Sequence, residues 1–255
     1  MVVQEVFTGG DTKAGVQTTA FNLPNDERVR EAKGSKKVML KNVAQAKFEK
    51  CWIPIVEEVI DPSDVPFIKF DAYFNHVLMH EMSHGMGPGI IVKEGKETSV
   101  GVELKETYPT IEEAKADILG ILNTQFLIDK GFLPASLEKQ TYITHLGGIF
   151  RSVRFGITSA HGGANIMEYN YVKERGGFIY DAETGKFRVD FKKAKVAIFE
   201  MAKDLLLIQA ELNYDGALQF IEKYRHAPEE IQSALERLSE VPVDIWPVFA
   251  IEKEI

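Results

Sequence analysis

The chain has 255 residues, 45% hydrophobic and 27% charged, enough to bury a core as one large domain or two small ones. Aromatics at 10% exclude disorder as the main state, and 30 basic against 38 acidic side chains, formally -8, argue against a dedicated nucleic-acid binder. A single cysteine, Cys51, excludes both an internal disulfide and a cysteine-rich zinc site. No apolar run reaches the roughly 18 residues of a membrane span. Met1–Glu5 carries no basic or long apolar leader, so the expected location is the cytoplasm, away from membranes.

In chain order, Val2-Val3 and Glu5–Phe7 suggest a short strand, and Thr8–Asp11 a turn. Asn22–Glu27 reads as an ordered loop, with a helix after Pro24 that breaks at Gly34. Residues 41–60 suit a helix with Val43, Phe48, Trp52 and Ile55 on one stripe. Asp71 is the expected N-cap of a helix through His84, and residues 90–104 read as extended around a turn at 93–96. Thr110 is expected to open a long helix that stops at Gly131. Helices are expected over 135–156 and 160–175, then a hairpin over 178–189, then helices over 191–225 and 228–239. The fold class is therefore mainly α with minor β, organised as one domain. Residues 1–36 form a loop and strand segment, 37–240 a helical lobe, and 241–255 an extended tail.

The sharpest motif is His80-Glu81-Met82-Ser83-His84, an HExxH inside an expected helix. At i, i+4 both imidazoles leave one helix face, which suits two corners of a zinc tetrahedron. Glu81 lies beside such a metal, where it can act as general base on a water. Chance alone places an HExxH in a chain this long roughly once in a hundred. A third His six residues past the second would complete one known pattern, but that position is Ile90.

The third ligand is therefore sought in Glu112-Glu113-Ala114-Lys115-Ala116-Asp117. Glu113 is the favoured ligand and Glu112 its rival. Asp117, four past Glu113 and on its face, suits a carboxylate that orients a ligand histidine. Thr110 and Glu113 also fit a plain capping box. His76, four before His80, is either a partner of the site or a packed histidine. Arg151 and Arg154 flank apolar residues and could line a cleft, but the commoner reading is a pair of surface arginines.

These blocks, in this order, resemble the dipeptidyl peptidase III family, peptidase family M49. The resemblance is carried by Phe21–Arg30 through Gly34 to Asn42, by His80–Pro88, by Glu112–Asp117, and more weakly by Ala160-His161 before a helix ending at Gly176-Gly177. Similarity is greatest to bacterial and plant members, some with a Nudix domain ahead of the peptidase part; no Nudix box occurs here. The resemblance implies a gluzincin-like zinc lobe cleaving peptide bonds, with one zinc on His80, His84 and Glu113 and Glu81 as base. It implies that Asp117 and Glu112 support the ligands, that His161 stabilises the transition state, and that Asn22 and Asn25 hold the peptide substrate. Residues 1–36 would form part of the substrate cleft. Family enzymes are longer and two-lobed, so the resemblance implies an N-terminal lobe or upstream domain as a candidate partner of this sequence. Two other readings stay open: hydrolysis of a non-peptide amide or ester, and a catalytically weak, zinc-stabilised peptide-binding module.

Overall fold

A computed structural model describes residues 1–9, 15–23, 29, 32–34, 36–249 and 251. It is mainly helical with small β elements. Strand β1 (Val2–Val3) runs parallel to β3 (Lys36–Leu40), and β2 (Ala20–Leu23) pairs antiparallel to β3 on its other side. Glu5–Phe7 are not part of the sheet, and Asn22, expected in a loop, lies in β2 opposite Lys37.

A continuous helical run follows: α1 (Lys41–Lys47), a wide π-type turn over Phe48–Trp52, and α2 (Ile53–Val59). Pro54, in the first turn of α2, cannot donate the helical hydrogen bond, and the helix widens just before it. Trp52 is fully buried and stacks on Phe48 at 5.2 Å. Cys51 is a buried thiol in the same stripe.

Helix α3 (Phe70–Ser83) carries the HExxH motif. Its N-cap is Lys69 rather than Asp71; Asp71 stands in the first turn, where its charge suits the helix dipole. A hairpin of β4 (Ile90–Lys93) and β5 (Lys96–Ser99) turns at Glu94 and Gly95, both at positive φ. The expected extension to 104 ends early, because Ser99 Oγ accepts from Val102 N at 3.3 Å and caps a short helix α4 (Val100–Leu104).

Helix α5 (Tyr108–Asp129) begins two residues before Thr110, with Pro109 in its first turn. Thr110 is buried within it and caps nothing, so the capping-box reading fails. Gly131 at φ 76° ends the helix, as expected. Helices α6 (Leu137–Val153) and α7 (Ala160–Glu174) follow, then the hairpin β6 (Phe178–Asp181) and β7 (Lys186–Val189). The helix expected over 191–225 is two: α8 (Phe191–Ala210) and α9 (Tyr214–Tyr224). Leu212 at φ 53° breaks the run, and Asn213 caps the restart by accepting from Gly216 N at 2.8 Å. Last comes α10 (Glu229–Arg237).

The chain after α10 is pinned rather than free. Asp244 pairs with Lys47 at 2.9 Å and accepts from Gln17 N at 2.8 Å. Arg154 holds the carbonyls of Leu238, Val241 and Pro242, so it fastens this segment instead of lining a cleft. No helix among the described residues is long and apolar enough to cross a membrane.

Helix α5 is the central rod, packed against α3, α7 and α8. Gly120 lets α3 come close: a Cβ there would lie 3.1 Å from His80 N and 3.2 Å from Met79 C. Side chains tie the two helices on either side of that point, Asn75 to Thr124 and Asn123 to Ser83, each at 2.9 Å. Gly120→Ala must push backbone against backbone. The expected cost is about 1–3 kcal/mol, read by urea denaturation.

Candidate metal centre

Three helices build the centre. From α3, His80 and His84 project from one face, and their Nε2 atoms lie 3.1 Å apart. From α5, Glu113 Oε2 lies 3.3 Å from His80 Nε2 and 3.7 Å from His84 Nε2. From α7, His161 Nε2 reaches 3.2 Å from the same Glu113 oxygen. Glu81 lines the cleft beside His80, and its carboxylate makes no hydrogen bond or ion pair with a described residue.

A second layer of carboxylates fixes the rings. Asp117 Oδ1 is 2.6 Å from His80 Nδ1, and Glu112 Oε1 is 2.9 Å from His84 Nδ1. Each Nδ1 is thereby assigned as the N–H donor, which leaves the Nε2 lone pairs facing inward. Glu112 is held in turn by buried Lys115 at 2.8 Å and by Gln209 of α8 at 2.8 Å. Lys115 also caps the end of α3, donating to Ser83 O at 3.1 Å and Met86 O at 2.8 Å. Asn165 of α7 donates to Asp117 Oδ2 at 2.9 Å, and His76 Nε2 is 3.7 Å from Asp117 Oδ1.

Electrostatics follow this geometry. Burial opposes a charge on His80, but Asp117 and Glu113 outweigh it and hold the imidazole well above its usual range; a cation at Nε2 would take the place of that proton and use the lone pair beneath it. Burial likewise works to raise the carboxyls of Asp117, Glu112 and Glu113. Asp117 is pulled well down chiefly by His80, Glu112 by His84 and Lys115, and Glu113 by His80. All three are therefore ionised at neutral pH.

The arrangement fits a cation. Glu113 Oε2 is buried with no hydrogen-bond partner of good geometry among the described residues, and two imidazole nitrogens face it. Donor separations of 3.1, 3.3 and 3.7 Å straddle the edge of about 3.4 Å expected for a zinc tetrahedron with 2.0–2.2 Å bonds. Among the described residues, His80, His84 and Glu113 are the group whose donor atoms come close enough to share an ion. Glu112 faces the outer nitrogen of His84, on the far side from that group.

The cleft in front is about 500 Å³, lined by Val16–Ala20, Arg151, Phe155, Glu81 and His161 among others. Arg151 lines this cleft, against its commoner reading as a surface arginine. The glycines after His161 serve packing rather than ligand approach: a Cβ at Gly162 would collide with Gly156 O, and one at Gly163 would lie 3.0 Å from Ile157 O. Ser159 Oγ caps α7 by accepting from Gly162 N at 3.1 Å, which fixes the first turn that carries His161. Asn22 stands in β2, beyond Ala20 at the cleft lip; Asn25 lies outside the described residues.

Sequence reading missed Lys115, Gln209 and Asn165, and it missed a buried pair deeper in the core. His145 Nε2 of α6 is 2.7 Å from Glu168 Oε2 of α7, both essentially inaccessible. Burial pushes His145 down to about 3 and Glu168 well up, so the pair is neutral: His145 donates and the Glu168 acid accepts. A raised carboxyl costs folding stability once the unfolded chain ionises, that is, as pH rises above about 4.3. Glu168→Gln keeps an acceptor for His145 and removes that cost. Urea melts at pH 4 and pH 7 are expected to show the variant gaining on the parent at the higher pH; equal differences at both would overturn the neutral assignment.

Residues 6–119 match the family described as Peptidase family M49. Nudix hydrolase 3 of Arabidopsis thaliana is 41% identical over 257 residues, spanning 100% of this chain and 33% of that protein. The structure of DPP III from Caldithrix abyssi superposes with a TM-score of 0.96 at 54% identity, over 99% of this chain and 48% of that one. Dipeptidyl-peptidase III from Corallococcus sp. strain EGB gives a TM-score of 0.93 at 39% identity, over 99% and 47%. The chain thus spans about half of the solved structures it matches and a third of the curated relative. Its resemblance to peptidase family M49 is carried by sequence over residues 6–119 and by fold, that of dipeptidyl peptidase III, over nearly the whole chain.

Proposed function

We propose that the chain is the zinc-binding lobe of a peptide hydrolase, with His80, His84 and Glu113 holding one zinc ion. The observation that carries this is the convergence of two imidazole nitrogens on one buried carboxylate oxygen, next to the cleft that His80 and Glu81 line, where no described residue pairs with the Glu81 carboxylate. Zinc supplies Lewis acidity there, polarising a carbonyl and drawing the pKa of a water toward about 7. Glu81 accepts the proton of an attacking water and returns it to the leaving amine. His161 donates from its imidazole toward the oxygen on which charge develops. Asp117 and Glu112 keep the ligand rings in the tautomer and orientation that ligation needs.

The substrate is an extended peptide entering along Val16–Ala20 and β2, with Asn22 and Asn25 near its N-terminal end. The His161 side chain is 66% exposed, which leaves one side of the cleft open. Full turnover accordingly requires a second wall from outside residues 1–255.

Metal analysis tests the ligand set: one zinc per chain is expected, lost in Glu113→Ala and weakened about 10- to 100-fold in Glu112→Ala. Loss in Glu112→Ala with retention in Glu113→Ala would move the ligand by one residue. Glu81→Gln is expected to keep zinc and lower peptide cleavage about 100- to 10,000-fold. A variant that cleaves at the parent rate would remove Glu81 from the mechanism. A digest of a peptide library beside a panel of simple amides and esters separates peptide hydrolysis from other acyl transfer.

A further inference from the structure

On α7, His161, Asn165 and Glu168 are spaced i, i+4, i+7, one stripe of a helix. Each meets a different depth of the centre. His161 reaches Glu113 at 3.2 Å, Asn165 donates to Asp117 at 2.9 Å, and Glu168 pairs with His145 at 2.7 Å. Side-chain exposure falls from 66% at His161 to 0% at Glu168, so the stripe runs from the open cleft into the core.

Polar groups this deep are costly to bury. Here three of their atoms are buried with no hydrogen-bond partner among the described residues: His76 Nδ1, His145 Nδ1 and Glu168 Oε1. What the cluster surrounds is Asp117. Its Oδ1 takes His80 at 2.6 Å and faces His76 at 3.7 Å, and its Oδ2 takes Asn165. Burial, and after it the charge of the neighbouring Asp117, raise the Glu168 carboxyl, so the acid proton of its otherwise unpartnered Oε1 is available to Asp117. A carboxylate gripped at both oxygens cannot rotate, and the ring it holds cannot either.

We propose that Asn165 and Glu168 are positioning residues of the metal centre: they lock Asp117, and through it His80, at the height where His161 of the same helix meets Glu113. The proposal rests on the reading of His80, His84 and Glu113 as zinc ligands. Helix α7 then acts as a ruler that sets ligand geometry and the reach of His161 together.

The test uses the purified full chain, zinc affinity by competition with a chelator, and the visible spectrum of the cobalt(II)-loaded protein, which reports ligand geometry. Asn165→Ala and Glu168→Ala are each expected to weaken zinc about tenfold and to shift the cobalt bands, whereas Glu168→Gln, still able to donate to Asp117 and accept from His145, restores both. Asn165→Ala decides alone if Glu168→Ala does not fold. Parent affinity and an unchanged cobalt spectrum in folded Asn165→Ala would overturn the proposal while leaving the zinc reading intact. A parent that binds no zinc, or a His80→Ala variant that binds it as the parent does, would instead remove the zinc reading and this inference with it.

Discussion

Everything at the centre depends on how closely α3 and α5 approach. The motif helix supplies two imidazoles, but a third donor must arrive from another chain segment within a few ångströms. Gly120 makes that possible, because any larger residue would meet the backbone of His80 at 3.1 Å. Asn75–Thr124 and Asn123–Ser83 then hold the helices in register on both sides of the contact. A shift of one residue between them would present Glu112 or Ala114 where Glu113 now stands.

Charge is arranged around that contact so that it need not be expelled from the core. Each inward-facing histidine carries a carboxylate on its outer nitrogen, and each of those carboxylates has a neutral or cationic donor behind it. Lys115 and Gln209 serve Glu112; Asn165 serves Asp117. Lys115 also fastens the end of α3, joining the electrostatics of the site to the integrity of the helix. The inner face brings the Nε2 atoms of His80 and His84 onto one buried Glu113 oxygen, an arrangement that a cation fits.

The cleft is built from segments far apart in the chain. Residues 16–20 reach it because Gln17 is tied to Asp244 and to buried Lys47, so a stretch near the start and one near the end close over α1. His161 stands at the rim, carried by a first turn that Ser159 caps and that glycine packing presses against the preceding loop. One wall remains open, in keeping with a chain that spans about half of the solved structures it superposes on.

Much of this was legible in the residues. The i, i+4 spacing of His80 and His84, the helix stop at Gly131 and the hairpin over 178–189 follow from local geometry, which a periodic pattern records directly. The errors were also local in origin: Asp71, Thr110 and the 191–225 run were judged by propensity, while Lys69, Pro109 and Leu212 set the actual boundaries. Spacing from His161 could have flagged Asn165 and Glu168, but nothing in the sequence says what that stripe faces. By itself the sequence determined which residues share a helix face, since a 3.6-residue turn is a property of each segment alone. Only the tertiary structure decided that Glu113 rather than Glu112 faces both imidazoles, that Lys115 and Gln209 hold the other carboxylate, and that α7 lies over Asp117. Those outcomes depend on the relative height and rotation of packed helices, which are set by side-chain volume and hydrogen bonds between segments distant in sequence.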